Sequence, residues 1–258
     1  MKINKFVAAV VAFNLLAEYS IRGFEKFSAM PVLLPGLILT YYIYFIILNS
    51  LTVKYKLNLG AFAVMALVFG MLYNLFFPQG GTFIPPFILG VNWVYVFFIN
   101  AIFWVPVQSI LGFYFAHRLV GRPDQGQVLS DKGLKMAFAG YIVMVLVFNL
   151  FAPKIGVLTP IGLITFSAAI FVAYKWYEKL RAKPLENTTF MPNRIYDALV
   201  VFCLVCFVYA GFFILDSGET RNAHPLNVNA MWFLFKAMGI VTAVMVVHRI
   251  ASKKEIRV

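Results

Sequence analysis

Eight stretches of about 20 apolar residues dominate this sequence, at roughly 5–23, 30–53, 58–78, 89–119, 132–152, 157–178, 194–215 and 226–250. A helix of about 20 residues is about 30 Å long, which matches the hydrocarbon thickness of a bilayer. In lipid every backbone N–H and C=O must find a partner inside the protein, so only helices or a closed barrel can span. Barrel strands would alternate apolar and polar residues, and these runs do not. Composition agrees: 62% of the 258 residues are hydrophobic and 12% charged, and 28 Phe outnumber the 22 Lys and Arg together. A water-facing surface cannot be built from that inventory. The expected fold is all-α, a polytopic integral membrane bundle of about eight transmembrane helices arranged as hairpin repeats. Residues 1–258 form a single transmembrane domain in this reading, because the longest polar stretch is only about 15 residues.

The net charge of +12 has a topological meaning here. Seventeen of the 22 Lys and Arg lie at one set of helix ends, while Arg22, Lys26, Lys154 and Arg221 lie at the other, leaving Lys236 inside a run. Short loops rich in Lys and Arg stay in the cytoplasm, so both termini are expected there, in a multi-pass protein of the plasma (inner) membrane. The expected partners are membrane lipids, with a small solute or a partner membrane subunit, and no nucleic acid. The first run, with its apolar stretch at 6–17, resembles a signal peptide. Leu15-Leu16-Ala17 is a poor cleavage site, so an uncleaved first span is expected.

Tyr73-Asn74-Leu75-Phe76-Phe77-Pro78 echoes Phe148-Asn149-Leu150-Phe151-Ala152-Pro153, and Phe13-Asn14-Leu15-Leu16 is a fainter copy. Pro31, Pro85 and Pro160 then open the following helices, where a missing N–H leaves nothing unsatisfied. Ala116-His117-Arg118 and Val247-His248-Arg249 form a second echo at basic ends. The segment 58–122, with Asn74 near its turn, Trp93 opening the second helix, Pro106 inside it and Arg118 at its basic end, resembles a small two-span bacterial membrane family of uncharacterised function. The resemblance implies a helical hairpin and carries no activity with it.

Lys236 is the residue most at odds with its surroundings, ten residues into the last run. A charge near mid-bilayer costs a few kcal/mol and marks either a functional interior site or a side chain reaching for the interface. Glu18 and Asp216 are its expected acidic partners, with Arg22 competing for Glu18 from one turn away. Asp197 is expected to be neutralised by Arg194 at i−3. Asn100 and Gln108 flank Pro106, whose missing donor frees a carbonyl at membrane depth, so a polar, kinked fourth span is a reasonable wall for a solute pathway. The other intramembrane amides, Asn14, Asn74, Asn92 and Asn149, read as interhelical bonds. The solute-binding candidates are therefore Lys236, Asn100, Gln108, Glu18 and Asp216. His117, Arg118, His248 and Arg249 are candidate lipid headgroup contacts, and His224 falls in an outer loop.

A lysine in the last span invites comparison with retinal proteins, but no acidic residue lies at depth in spans two to six to act as counter-ion. Cys203 and Cys206 share a helix face and read as packing. No metal pair, phosphate loop or activated nucleophile is present, so no catalytic residue, metal or cofactor is expected. The leading expectation is a small-solute transporter or permease-like component. The alternatives are a membrane-embedded lipid-modifying enzyme and a non-catalytic scaffold subunit of a membrane complex.

Overall fold

The structure, a computed structural model, describes residues 4–22, 33–76, 86–121, 128–151, 159–182, 190, 192–214 and 228–255. Among these residues it is all-helical, without a strand, and contains eight helices. They are α1 (Lys5–Arg22), α2 (Leu33–Tyr55), α3 (Leu59–Phe76), α4 (Trp93–Val120), α5 (Asp131–Phe151), α6 (Pro160–Arg181), α7 (Arg194–Ile214) and α8 (Val228–Glu255). Five of them, α2, α4, α6, α7 and α8, are long and apolar enough to cross a membrane. Helix α1 carries Lys5, Glu18 and Arg22 within its 18 residues, and the apolar part of α3, Leu59–Asn74, is shorter.

Local chemistry sets the helix starts. Asn4 caps α1 by accepting from Val7 N–H at 3.1 Å. Thr159 caps α6 by accepting from Gly162 N–H at 3.1 Å, with Pro160 in the first helical position as the sequence suggests. The fourth helix begins at Trp93, later than the apolar run that starts at 89. Asn92 caps it, accepting from Tyr95 N–H at 3.0 Å, and the preceding Leu89 and Gly90 take positive φ values of 53° and 76° in a tight turn. Such φ values are incompatible with a helix. Pro31 and Pro85 lie outside the described residues.

Helix α4 is unusual in its winding. From Phe98 to Leu111 it follows the wide i→i+5 π pattern, with Pro106 inside the stretch, before returning to α geometry at Gly112. Wide turns of this kind are usually single-turn insertions found at functional sites.

The chain divides into two compact units. The first comprises residues 1–41, 106–121 and 190–258, and the second 42–105 and 122–189. In the first, α1 packs along the Gly112–Val120 end of α4. Phe6 meets Phe113 edge-on at 5.4 Å, and the bare Cα of Gly112 admits the Asn14 side chain. Phe13 reaches Phe207 of α7 at 5.6 Å, and Cys203 on α7 touches Met238 on α8, Sγ to Sδ, at 3.8 Å. Both cysteines are free and buried, as packing residues would be.

In the second unit α3 packs on α6. Asn58 Nδ2 donates to the Leu180 carbonyl at 3.1 Å, and Gly162 meets the Gly90 backbone so closely that neither can carry a side chain without displacement. Phe69 sits between Tyr44 and Tyr141, at 5.3 and 5.9 Å, in an aromatic core shared with Trp104. Lys54 and Asp131 form an ion pair at the ends of α2 and α5.

Candidate functional site

The most polar buried place among the described residues of the first unit lies where α1, the start of α2 and the π-wound part of α4 meet. Asn14 and Glu18 stand four residues apart on α1, hence on one face. Tyr41 comes from α2 and Gln108 from α4. Tyr41 Oη donates to Glu18 Oε1 at 2.5 Å, and Gln108 Nε2 donates to Tyr41 Oη at 3.2 Å. Asn14 Nδ2 donates twice, to the carbonyl of Val10 at 2.9 Å and to that of Gln108 at 3.1 Å. All four side chains are buried, Asn14 completely and Gln108 to within 1%.

The donors and acceptors do not balance. Asn14 Oδ1 and Gln108 Oε1 are buried without a hydrogen-bond donor among the described residues. Neither can be repaired by turning its amide round. Both N–H groups of Asn14 face backbone carbonyls, which an oxygen in their place would repel. The Tyr41 hydroxyl has only one proton, given to Glu18, so its other partner must donate. Two buried amide oxygens thus have no donor among the described residues, one of them on the side chain that Tyr41 links to Glu18. A buried acceptor left in that state costs about 1–3 kcal/mol.

Of the residues singled out from the sequence, Glu18 and Gln108 are brought together, although not directly, since Tyr41 bridges them. Asn100 belongs to the second unit, where its Nδ2 bonds the Val96 carbonyl of its own helix at 2.8 Å and its Oδ1 lies over Gly70 with no donor among the described residues. Lys236 is exposed on the flank of α8, on the same stripe as exposed Trp232 and Ile240. It has no partner among the described residues and does not join the Glu18 chain. Asp216, His224 and the side chains of Arg22 and Asn149 lie outside the described residues.

A second polar cluster sits where α7 begins. Asn193 caps α7, its Oδ1 accepting from Ile195 and Tyr196 N–H at 2.9 and 3.3 Å, and its Nδ2 lies 3.0 Å from His248 Nε2 on α8. That amide nitrogen can only donate, so the histidine carries its ring proton on Nδ1. Tyr114 Oη accepts from Asn193 N–H and donates to Asp197 Oδ1, both at 2.8 Å. Arg118 Nε donates to the same carboxylate oxygen at 3.0 Å. The ion-pair partner of Asp197 is therefore Arg118 on α4, while Arg194 lies exposed. Among the headgroup candidates, Arg118 and Arg249 are exposed and His117 and His248 half-buried. Among the described residues no three His, Cys, Asp or Glu side chains come close enough to hold a metal.

These helices define a class and no more: an all-helical chain with five helices suited to a membrane. Comparison with known proteins does not narrow it, since no protein-family model matches the chain and no curated protein or solved structure is significantly similar to it.

Proposed function

We propose that this chain is a multi-pass plasma-membrane protein whose eight helices all cross the bilayer, with both termini in the cytoplasm, and that it carries a small solute through the Glu18–Tyr41–Gln108–Asn14 site. The observation that supports the reading is the pair of buried amide oxygens, on Asn14 and Gln108, that lack donors among the described residues in the cluster linked to Glu18 through Tyr41. Polar groups inside a membrane bundle are costly and tend to mark solute or ion paths. Unwound or irregularly wound helix at membrane depth is also a recurrent feature of solute sites, and Gln108 sits in such a stretch. Helices of 18 to 28 residues would be about 27 to 42 Å long in α geometry, enough for a core of about 30 Å. The basic bias of the loops supports the orientation.

Reconstituted into vesicles, the protein is expected to raise the uptake of at least one member of a panel of small polar solutes. Gln108→Leu should lower that uptake at least tenfold while leaving the protein monodisperse. Uptake equal to that of protein-free vesicles across the panel would reject the carrier reading. Accessibility of cysteines added at the two ends in intact cells would test the orientation.

A second reading, a subunit of a larger membrane complex, is favoured by one observation. An exposed lysine with no partner among the described residues, amid exposed apolar side chains on α8, is a poor surface to present to lipid. Binding of the purified protein to a membrane helix with a central carboxylate, lost in Lys236→Leu, would support it.

A further inference from the structure

We infer that Cys203 and Cys206 on α7 and Met238 on α8 form a site for a soft monovalent metal ion, Cu(I), held by three sulfurs inside the first unit. The inference is independent of the carrier reading and concerns another place in the fold. Cys203 Sγ and Met238 Sδ stand 3.8 Å apart across the contact between the two helices, although 35 residues separate them along the chain. Cys206 lies one turn further along α7, where side chains three apart are neighbours, and the two thiols interact electrostatically. Both thiols are free, Cys203 and Met238 are completely buried, and Cys206 is only 5% exposed.

The chemistry of these three atoms selects the ion. A thiolate bond to a first-row closed-shell ion such as zinc is about 2.3 Å long, so two sulfurs on one ion stand roughly 3.8 to 4.0 Å apart. The Cys203–Met238 pair already has that separation, so an ion can be taken without parting the helices. Thiolate and thioether sulfur are soft ligands that suit Cu(I), an ion satisfied by low coordination. Zinc also accepts sulfur but is almost always four-coordinate, and no third His, Cys, Asp or Glu joins the two cysteines among the described residues. Calcium and magnesium demand oxygen ligands, whereas the neighbouring positions on the two faces, Val200, Phe207, Leu234 and Val241, are buried and apolar. On binding, a cysteine thiol gives its proton to solvent as the sulfur–copper bond forms. Copper enters and stays as Cu(I), so no electron moves. The thiolate cancels the charge of the ion, as an apolar interior requires.

The test uses the full chain in lipid nanodiscs, kept reduced with ascorbate under argon. Cu(I) delivered as its bicinchoninate complex is the probe, and Zn(II) is the control. The protein is expected to take one Cu(I) per chain from the chelator and to bind Zn(II) at least tenfold more weakly. X-ray absorption at the copper edge should show sulfur neighbours only. Cys203→Ser and Cys206→Ser should each weaken retention at least tenfold. Met238→Leu conserves volume and the helix contact, so it should stay monodisperse with unchanged helix content while retention falls about tenfold. A sulfur that only packs would leave retention untouched in that variant. Retention in Met238→Leu equal to that of the parent (an adventitious thiol contact only), nitrogen or oxygen neighbours at the copper, or no retained ion overturns the inference.

Discussion

Gly70 and Asn100 offer a sharp test of how the second unit is packed. A Cβ built at Gly70 would collide with Asn100 Oδ1 and stand 3.5 Å from the Cβ of Trp104. The asparagine cannot swing aside freely, because it is buried and its Nδ2 is tied to the Val96 carbonyl at 2.8 Å. Gly70→Ala should therefore destabilise by about 1–3 kcal/mol, the usual cost of forcing a methyl into a filled core. For a chain of this size that lowers the unfolding midpoint by roughly 2–4 °C per kcal/mol. Asn100→Ala alone removes one side-chain bond, about 1 kcal/mol or less. In the double variant the obstacle is gone. Gly70→Ala then costs little, and the cycle should show a coupling of about 1–2 kcal/mol. Helix content followed by circular dichroism during heating in a mild detergent would read all four proteins. A neutral Gly70→Ala, or strictly additive effects, would refute the close approach of α3 and α4 described here.

Gly162→Ala should be at least as damaging, because its Cβ would lie 2.6 Å from the Gly90 carbonyl oxygen and backbone cannot give as a side chain can; the same heating experiment measures it. Asn193→Ala should cost about 0.5–2 kcal/mol for the lost cap, plus the bond to His248. Arg118→Ala should cost only about 0.2–1 kcal/mol, since both ends of its pair with Asp197 are more than a third exposed. If the order of those two variants is reversed, the end of α7 is held by charge and not by its cap.

The helices were legible because length, basic ends and lack of alternation all point one way, and each apolar run overlaps one described helix. The start of α4 is displaced because Leu89 and Gly90 were counted with the run that follows, although Asn92 is the better starting signal, and α8 continues to Glu255, past the end of its run. The site was half legible. Glu18 and Gln108 stand out as polar residues in apolar runs, but Tyr41 is hidden because tyrosine is common in such runs. Its signal was the need of any buried phenol for a partner. The pairing of Asp197 with Arg118 lies 79 residues away along the chain, beyond what i−3 and i+4 reasoning can find. Periodicity also fails across Phe98–Leu111, because a face inferred at 3.6 residues per turn is the wrong face once the backbone is wound wider.

That wide winding has a mechanical side. A π-wound backbone advances less along its axis per residue than an α-helix, so α4 is shorter than its 28 residues suggest. Rewinding even part of Phe98–Leu111 to the tighter period would push the two ends of the rod apart and twist them against each other, as a screw does. Pro106, which has no N–H to re-register, is the point where such a thread would catch. The amide of Gln108 sits two residues beyond it, so any turn of the thread would be felt first by the side chain that holds Tyr41.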